Sequence, residues 1–156
     1  MVKRLLKMRC FDEYKYLNKY WKLIFDGSGS YKFDKRNCLH CLTKTYNKGT
    51  EEKTVYFHYV LECKLVVGEM AISLVTEFIE NPEGEFEKQD SELKAFYRLE
   101  KKVKKEYPGL PICILVDSEY ACQQVLEICR KNKNVIEMEE PKKKYLFRIY
   151  GVEKNK

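Results

Sequence analysis

Two aspartates follow short apolar runs. Asp26 comes after Trp21-Lys22-Leu23-Ile24-Phe25, and Asp117 after Pro111-Ile112-Cys113-Ile114-Leu115-Val116. Runs of this length bounded by turn residues read as strands. If the two strands lie side by side, both carboxylates emerge near each other at one edge of a sheet. Two ionised carboxylates a few Å apart repel, so such a pair recruits Mg2+ or Mn2+. Two such ions clamp the attacking and leaving oxygens of a phosphoryl transfer. Aspartate after a strand is also an ordinary turn residue or helix cap, so neither residue is diagnostic by itself.

A second constellation is Cys38-x-x-Cys41 with His58. Two thiolates at that spacing fit one edge of a tetrahedral zinc site, and the imidazole supplies a third donor. Cys63 is the tempting fourth ligand, but 58 and 63 differ by an odd number, which puts their side chains on opposite faces of a strand. His40 is a weaker alternative. Without a fourth donor the group also reads as two loop cysteines and a satisfied strand histidine. Asp90 and Glu92 stand at the start of a helical pattern, either as supplementary metal ligands or as a cap and a first-turn acid favoured by the helix dipole. Glu77 lies inside an apolar run, where an acid needs a partner, and a structural salt bridge is the expectation.

The elements that must position these groups follow from periodicity. Trp21–Phe25 predicts a short strand, stopped by Asp26-Gly27-Ser28-Gly29-Ser30 as a loop or tight turn. Residues 34–53 are polar and show no period. From Thr54 to Val67 the apolar residues alternate (Val55, Phe57, Tyr59, Leu61, Cys63, Leu65, Val67), which predicts a strand with one buried face. Gly68-Glu69 is a hairpin tip, and Met70–Ile79 is a second strand. Asp90 or Ser91 caps a helix carrying Leu93, Phe96, Leu99 and Val103 to about Tyr107, where Pro108-Gly109 stops it. After the strand ending at Asp117, Ser118 caps a helix bearing Cys122, Val125, Leu126 and Cys129. Asn134–Met138 and Tyr145–Tyr150 are further strand candidates. This order predicts an α/β fold with a mixed sheet covered by helices.

The bulk properties bound the partners. The chain has 156 residues with 35% charged and 44% hydrophobic, enough for one domain with a core. Net charge is +6, and the excess is uneven, with ten Lys/Arg against four Asp/Glu between Met1 and Arg36. Lys101, Lys102, Lys104 and Lys105 form a second basic cluster, and Lys142, Lys143 and Lys144 a third. A polyanion such as DNA fits this distribution, although the Lys101–Lys105 group also fits the solvated face of an amphipathic helix. The seven cysteines are odd in number and irregular in spacing, which points to a reducing, cytoplasmic setting. There is no secretory signal pattern, and no apolar stretch approaches the roughly 20 residues that cross a bilayer, so no membrane partner is expected.

Three ordered segments resemble one family. Tyr56–Asn81 (YFHYVLECKLVVGEMAISLVTEFIEN), Phe86–Ala95 (FEKQDSELKA) and Leu110–Ala121 (LPICILVDSEYA) are similar to the catalytic region of bacterial insertion-sequence transposases of the DDE type. Upstream, Phe25-Asp26-Gly27-Ser28-Gly29 resembles that family's first-acid motif. The likeness covers about residues 20–130. It implies a ribonuclease-H-like fold with three leading strands followed by alternating helix and strand, which cuts and joins DNA at transposon ends. Asp26 would match the first acid and Asp117 the second, both as Mg2+ or Mn2+ ligands. Ribonuclease H proper keeps an acid on the helix that here begins with Asp90 and Glu92. The third acid, normally a Glu on a later helix, has no match, and activity would need Glu137, Glu139 or Glu140 to reach the Asp26/Asp117 pair. The expectation is therefore a truncated copy, inactive alone, that oligomerises with an intact transposase. Its parts would be a basic N-terminal arm or short helix (1–20), the core (21–138) and a divergent basic tail (139–156). The alternative is a non-catalytic nucleic-acid-binding or interaction module on the same fold.

Overall fold

The fold is organised around one strand, β3 (Lys53–Val67), whose alternation buries Leu61, Cys63, Leu65 and Val67. The computed structural model describes all residues except 37, 39, 47, 48, 50, 51, 82–89, 117–119, 121, 139–147 and 151–156, and for Ser30, Glu137, Met138 and Arg148–Tyr150 it describes backbone alone. β1 (Trp21–Phe33) runs antiparallel to β3, from Leu23 opposite Leu65 to Phe33 opposite Tyr56. The strand therefore does not stop at Asp26, as the glycines and serines led us to expect. β3 is long enough to offer hydrogen-bond partners throughout, and a bulge between Gly29 and Tyr31 absorbs the change of register.

β2 (Leu42–Tyr46) and β4 (Met70–Ile79) both pair with β3, β2 along its first half and β4 along its second. β2 lies inside the stretch that showed no period, so the leading strands number four rather than three. A five-residue strand carrying Thr43, Lys44 and Thr45 gives too weak an alternation to read. The β3–β4 turn follows the expectation, with Gly68 at φ +61°, a conformation that a Cβ disfavours.

The second edge of β1 is filled from far downstream. β5 (Ile112–Val116) lies parallel to β1, from Trp21 opposite Ile112 to Ile24 opposite Leu115. β6 (Val135–Met138) is parallel to β5, and β7 (Arg148–Tyr150) returns antiparallel at the margin. The sheet order is β2-β3-β1-β5-β6-β7, with β4 also on β3. It is thus a mixed sheet in an α/β fold.

Two helices close the core. α2 (Glu92–Glu106) is capped by Ser91, whose Oγ accepts from the Lys94 N–H, and it buries Ala95, Phe96, Leu99 and Val103. α3 (Gln123–Lys131) buries Val125 and Cys129, and its N-cap is Cys122; Ser118, the expected cap, lies outside the described residues. Phe96 packs against Phe25 at 4.9 Å and Tyr120 at 5.3 Å between ring centres. The first twenty residues form α1 (Val2–Lys7) and a single 3-10 turn at Asp12–Tyr14, and Val2, Leu6 and Phe11 pack on the core.

One charged group on α2 faces inward. Glu100 is buried and accepts a 2.7 Å hydrogen bond from the Asn132 side chain. Burial raises its pKa, and the Asn132 bond and Lys104 only partly offset this. A carboxyl whose folded pKa is raised favours the fold below its unfolded value and loses that advantage as pH rises through the raised value. Glu100→Gln is therefore expected to be more stable than the parent at pH 7, with the gap closing in acid, as read by urea unfolding across pH. Phe96→Ala, by contrast, should cost about 3–5 kcal/mol at every pH.

Candidate functional site

Asp26 sits in the middle of β1, directly opposite Glu62 on β3. Both alternate with the buried row, so they stand on the face turned away from α2. Lys64 bridges them, with Nζ 3.4 Å from an Asp26 oxygen and 3.2 Å from a Glu62 oxygen. The Ser73 hydroxyl donates to Glu62 at 3.1 Å. The Lys64 bond holds the Glu62 carboxyl below the usual range, and Glu62 in turn raises Lys64. Asp26 keeps 56% of its side chain exposed, so one edge of the carboxylate is accessible.

Asp117 lies outside the described residues, as does its distance from Asp26. The strand that leads to it, β5, is described through Val116 and lies beside β1 in the parallel sense. The two strands from which the acids were expected to emerge are therefore neighbours.

On the other face, the absence of a side chain at Gly27 creates a second group. A Cβ there would come within 2.6 Å of the Tyr59 hydroxyl and 2.9 Å of the Glu92 carboxyl carbon. Glu92 accepts a 2.5 Å hydrogen bond from the Tyr120 hydroxyl. Glu92 is thus brought against β1 one residue from Asp26, with the strand between them. Tyr59 and Tyr120 were not singled out from the sequence. Gly27 reads as part of a turn in the sequence, and only the continuation of β1 through it makes it a glycine inside a strand, which marks close approach by another group.

Asp90 has a different partner. Arg98 grips both its oxygens, at 3.2 and 2.5 Å, and also reaches Glu77 at 2.6 Å and the Phe78 carbonyl at 3.1 Å. Lys102 forms a further ion pair with Glu77. Burial opposes ionisation of Glu77, but Lys102 and Arg98 outweigh it and hold its carboxyl below the usual range. The salt bridge expected for Glu77 is present, and the helix cap falls to Ser91. Of the basic cluster on α2, Lys104 bonds Asn134 at 2.8 Å and the Asn132 carbonyl at 3.3 Å. Lys142, Lys143 and Lys144 lie outside the described residues, as do Glu139 and Glu140.

The cysteine–histidine group does come together. The Cys38 and Cys41 sulfurs are 3.2 Å apart, and His58 Nε2 is 3.4 Å from one and 3.5 Å from the other. The C-x-x-C pair lies between β1 and β2, and β3 presents the imidazole. These three donors could hold a metal ion. Cys63 stays apart, fully buried in the core with its thiol pushed up to about 12 by burial. His40 does not join the three. Its Nδ1 bonds the Asn81 carbonyl at 3.0 Å.

Comparison with protein-family models, with curated proteins and with solved structures returns no significant match.

Gly27→Ala tests the close approach on the α2 face. The added methyl meets Tyr59 and Glu92, and the expected cost is about 1–3 kcal/mol in chemical unfolding. Gly29→Ala, whose Cβ would lie 3.4 Å from the Tyr59 ring, is expected to cost less.

Proposed function

We propose that the chain is the core of a DNA transposase of the DDE type on a ribonuclease-H-like sheet, with Asp26 and Asp117 as its first two acids and no third acid assigned. The observation that carries this reading is the parallel pairing of β1 and β5 at the centre of the sheet. β1 turns to antiparallel partners on one side, and β5 and β6 follow by crossovers on the other. Open α/β sheets bind ligands beyond the carboxyl ends of strands at such a reversal point. Asp26 lies on one of the two strands that meet there, and Asp117 follows the other in sequence.

In this reading Asp26 and Asp117 hold Mg2+ or Mn2+. The half-exposed Asp26 carboxylate fits a hard cation, provided that Lys64 swings aside. A bound divalent ion supplies Lewis-acid stabilisation to the oxygens of a DNA phosphate. Lys64 offsets one of the two negative charges of Asp26 and Glu62 while no ion is present. The basic surface would contact the DNA backbone near transposon ends, and an intact transposase is the natural oligomeric partner. Zinc at the cysteine–histidine group is a separate, structural ion, and a reducing cytoplasm suits its thiols.

The Lys64 bridge also favours a second reading. An ammonium already fills the space between Asp26 and Glu62, which suits a non-catalytic nucleic-acid-binding module on the same sheet.

Titration of the zinc-loaded protein with Mn2+ separates the two. The transposase reading expects saturable binding that weakens by about tenfold or more, about 1.4 kcal/mol, in Asp26→Asn, and that tightens in Lys64→Ala. Identical isotherms for parent and Asp26→Asn would remove the metal-dependent reading and leave the binding module.

A further inference from the structure

The cysteine–histidine group has more structure around it than three donors. Bond lengths near 2.3 Å for sulfur and 2.0–2.1 Å for nitrogen place the donors of a tetrahedral zinc site about 3.8 Å apart for sulfur–sulfur and about 3.6 Å for sulfur–nitrogen. The observed edges are 3.2, 3.4 and 3.5 Å. Each donor needs to open by no more than about half an ångström. A disulfide, at about 2.05 Å, would leave the imidazole contact to both sulfurs unexplained. Cys41 is fully buried, while Cys38 and His58 are partly exposed.

Asn81, buried just past β4, ties down the backbone that carries the thiols. Its N–H donates to the His40 carbonyl at 3.3 Å, its side-chain amide donates to the Cys41 carbonyl at 3.1 Å, and its own carbonyl accepts from the His40 ring. Partners of this kind orient ligands before the ion arrives.

We propose that Cys38, Cys41 and His58 bind one zinc ion that staples the β1–β2 connection to β3, with Asn81 as the positioning residue. Loading displaces one proton from each thiol, so two protons leave as two zinc–sulfur bonds form. The ring nitrogen donates its lone pair, and solvent occupies the fourth corner on the exposed side of Cys38 and His58. The ion is chemically distinct from the hard cation proposed at Asp26: thiolates select zinc, and carboxylates select Mg2+ or Mn2+.

The test uses the full chain, purified under reducing conditions, stripped with chelator and titrated with Co2+ and then Zn2+. One equivalent of Co2+ should produce a thiolate charge-transfer band and intense tetrahedral visible bands, and one equivalent of Zn2+ should remove both. Cys63→Ala should titrate like the parent, and the Cys38→Ser/Cys41→Ser double variant should show neither signal. Asn81→Ala should reach the parent's full band intensity with an affinity weaker by about 10–100-fold. Absence of a thiolate band at saturating Co2+, or an unchanged titration in the double cysteine variant, overturns the site. If Asn81→Ala destabilises the metal-free protein while leaving the cobalt midpoint unmoved, its positioning role is overturned. None of these outcomes depends on Mn2+ binding at Asp26, so this site and the transposase reading fail separately.

Discussion

The interaction on which the rest depends is the packing of the buried row of β3 against α2. Leu61, Cys63, Leu65 and Val67 meet Phe96, Leu99 and Val103 in one continuous cluster. This contact fixes which face of β3 points inward. A one-residue slip would send the whole apolar row to solvent. Because β1, β2 and β4 all take their register from β3, the orientation of Asp26, Glu62 and His58 follows from that single choice. Leu23 and Phe25 must face α2, so Asp26 must face away.

The same constraint separates the two candidate centres. Glu62 lies in the half of β3 that packs on α2, and His58 lies in the half that pairs with β2. One strand therefore presents Glu62 beside Asp26 near its middle and His58 beside the two cysteines nearer its start. The ion-pair lock of Arg98 with Asp90 and Glu77 joins α2 to β4. Arg98 is partly exposed while Asp90 and Glu77 are nearly buried, and the two-oxygen grip on Asp90 sets the position of the first turn of α2. Glu92 lies in that turn.

Much of this was legible in the sequence wherever a period of two or 3.6 was strong. The β3 alternation, the β3–β4 turn, α2 with a cap at Asp90 or Ser91, and β5 all follow from local pattern. The Cys38, Cys41 and His58 grouping was legible too, from spacing and from the odd offset that sets Cys63 apart. What failed were places where tertiary pairing overrode local preference. Gly27, Ser28 and Gly29 read as a turn, yet a long partner strand holds them extended. β2 had too few residues to display a period. Arg98 could not be foreseen as the partner of Asp90, because the pair forms only when the helix folds over the end of β4. Tyr120, which follows β5, meets Glu92 across 28 residues of chain, a contact that no local pattern displays.

The parallel contact between β1 and β5 has a consequence for how the molecule is made. The antiparallel strands β1 to β4 form from near neighbours in sequence, while the second edge of β1 waits for a partner that is synthesised much later. Until Ile112–Val116 emerges from the ribosome, Trp21–Ile24 presents an apolar, unpaired margin, the kind of surface that recruits other chains. Closing the middle of the sheet is then the long-range, entropically expensive step of folding.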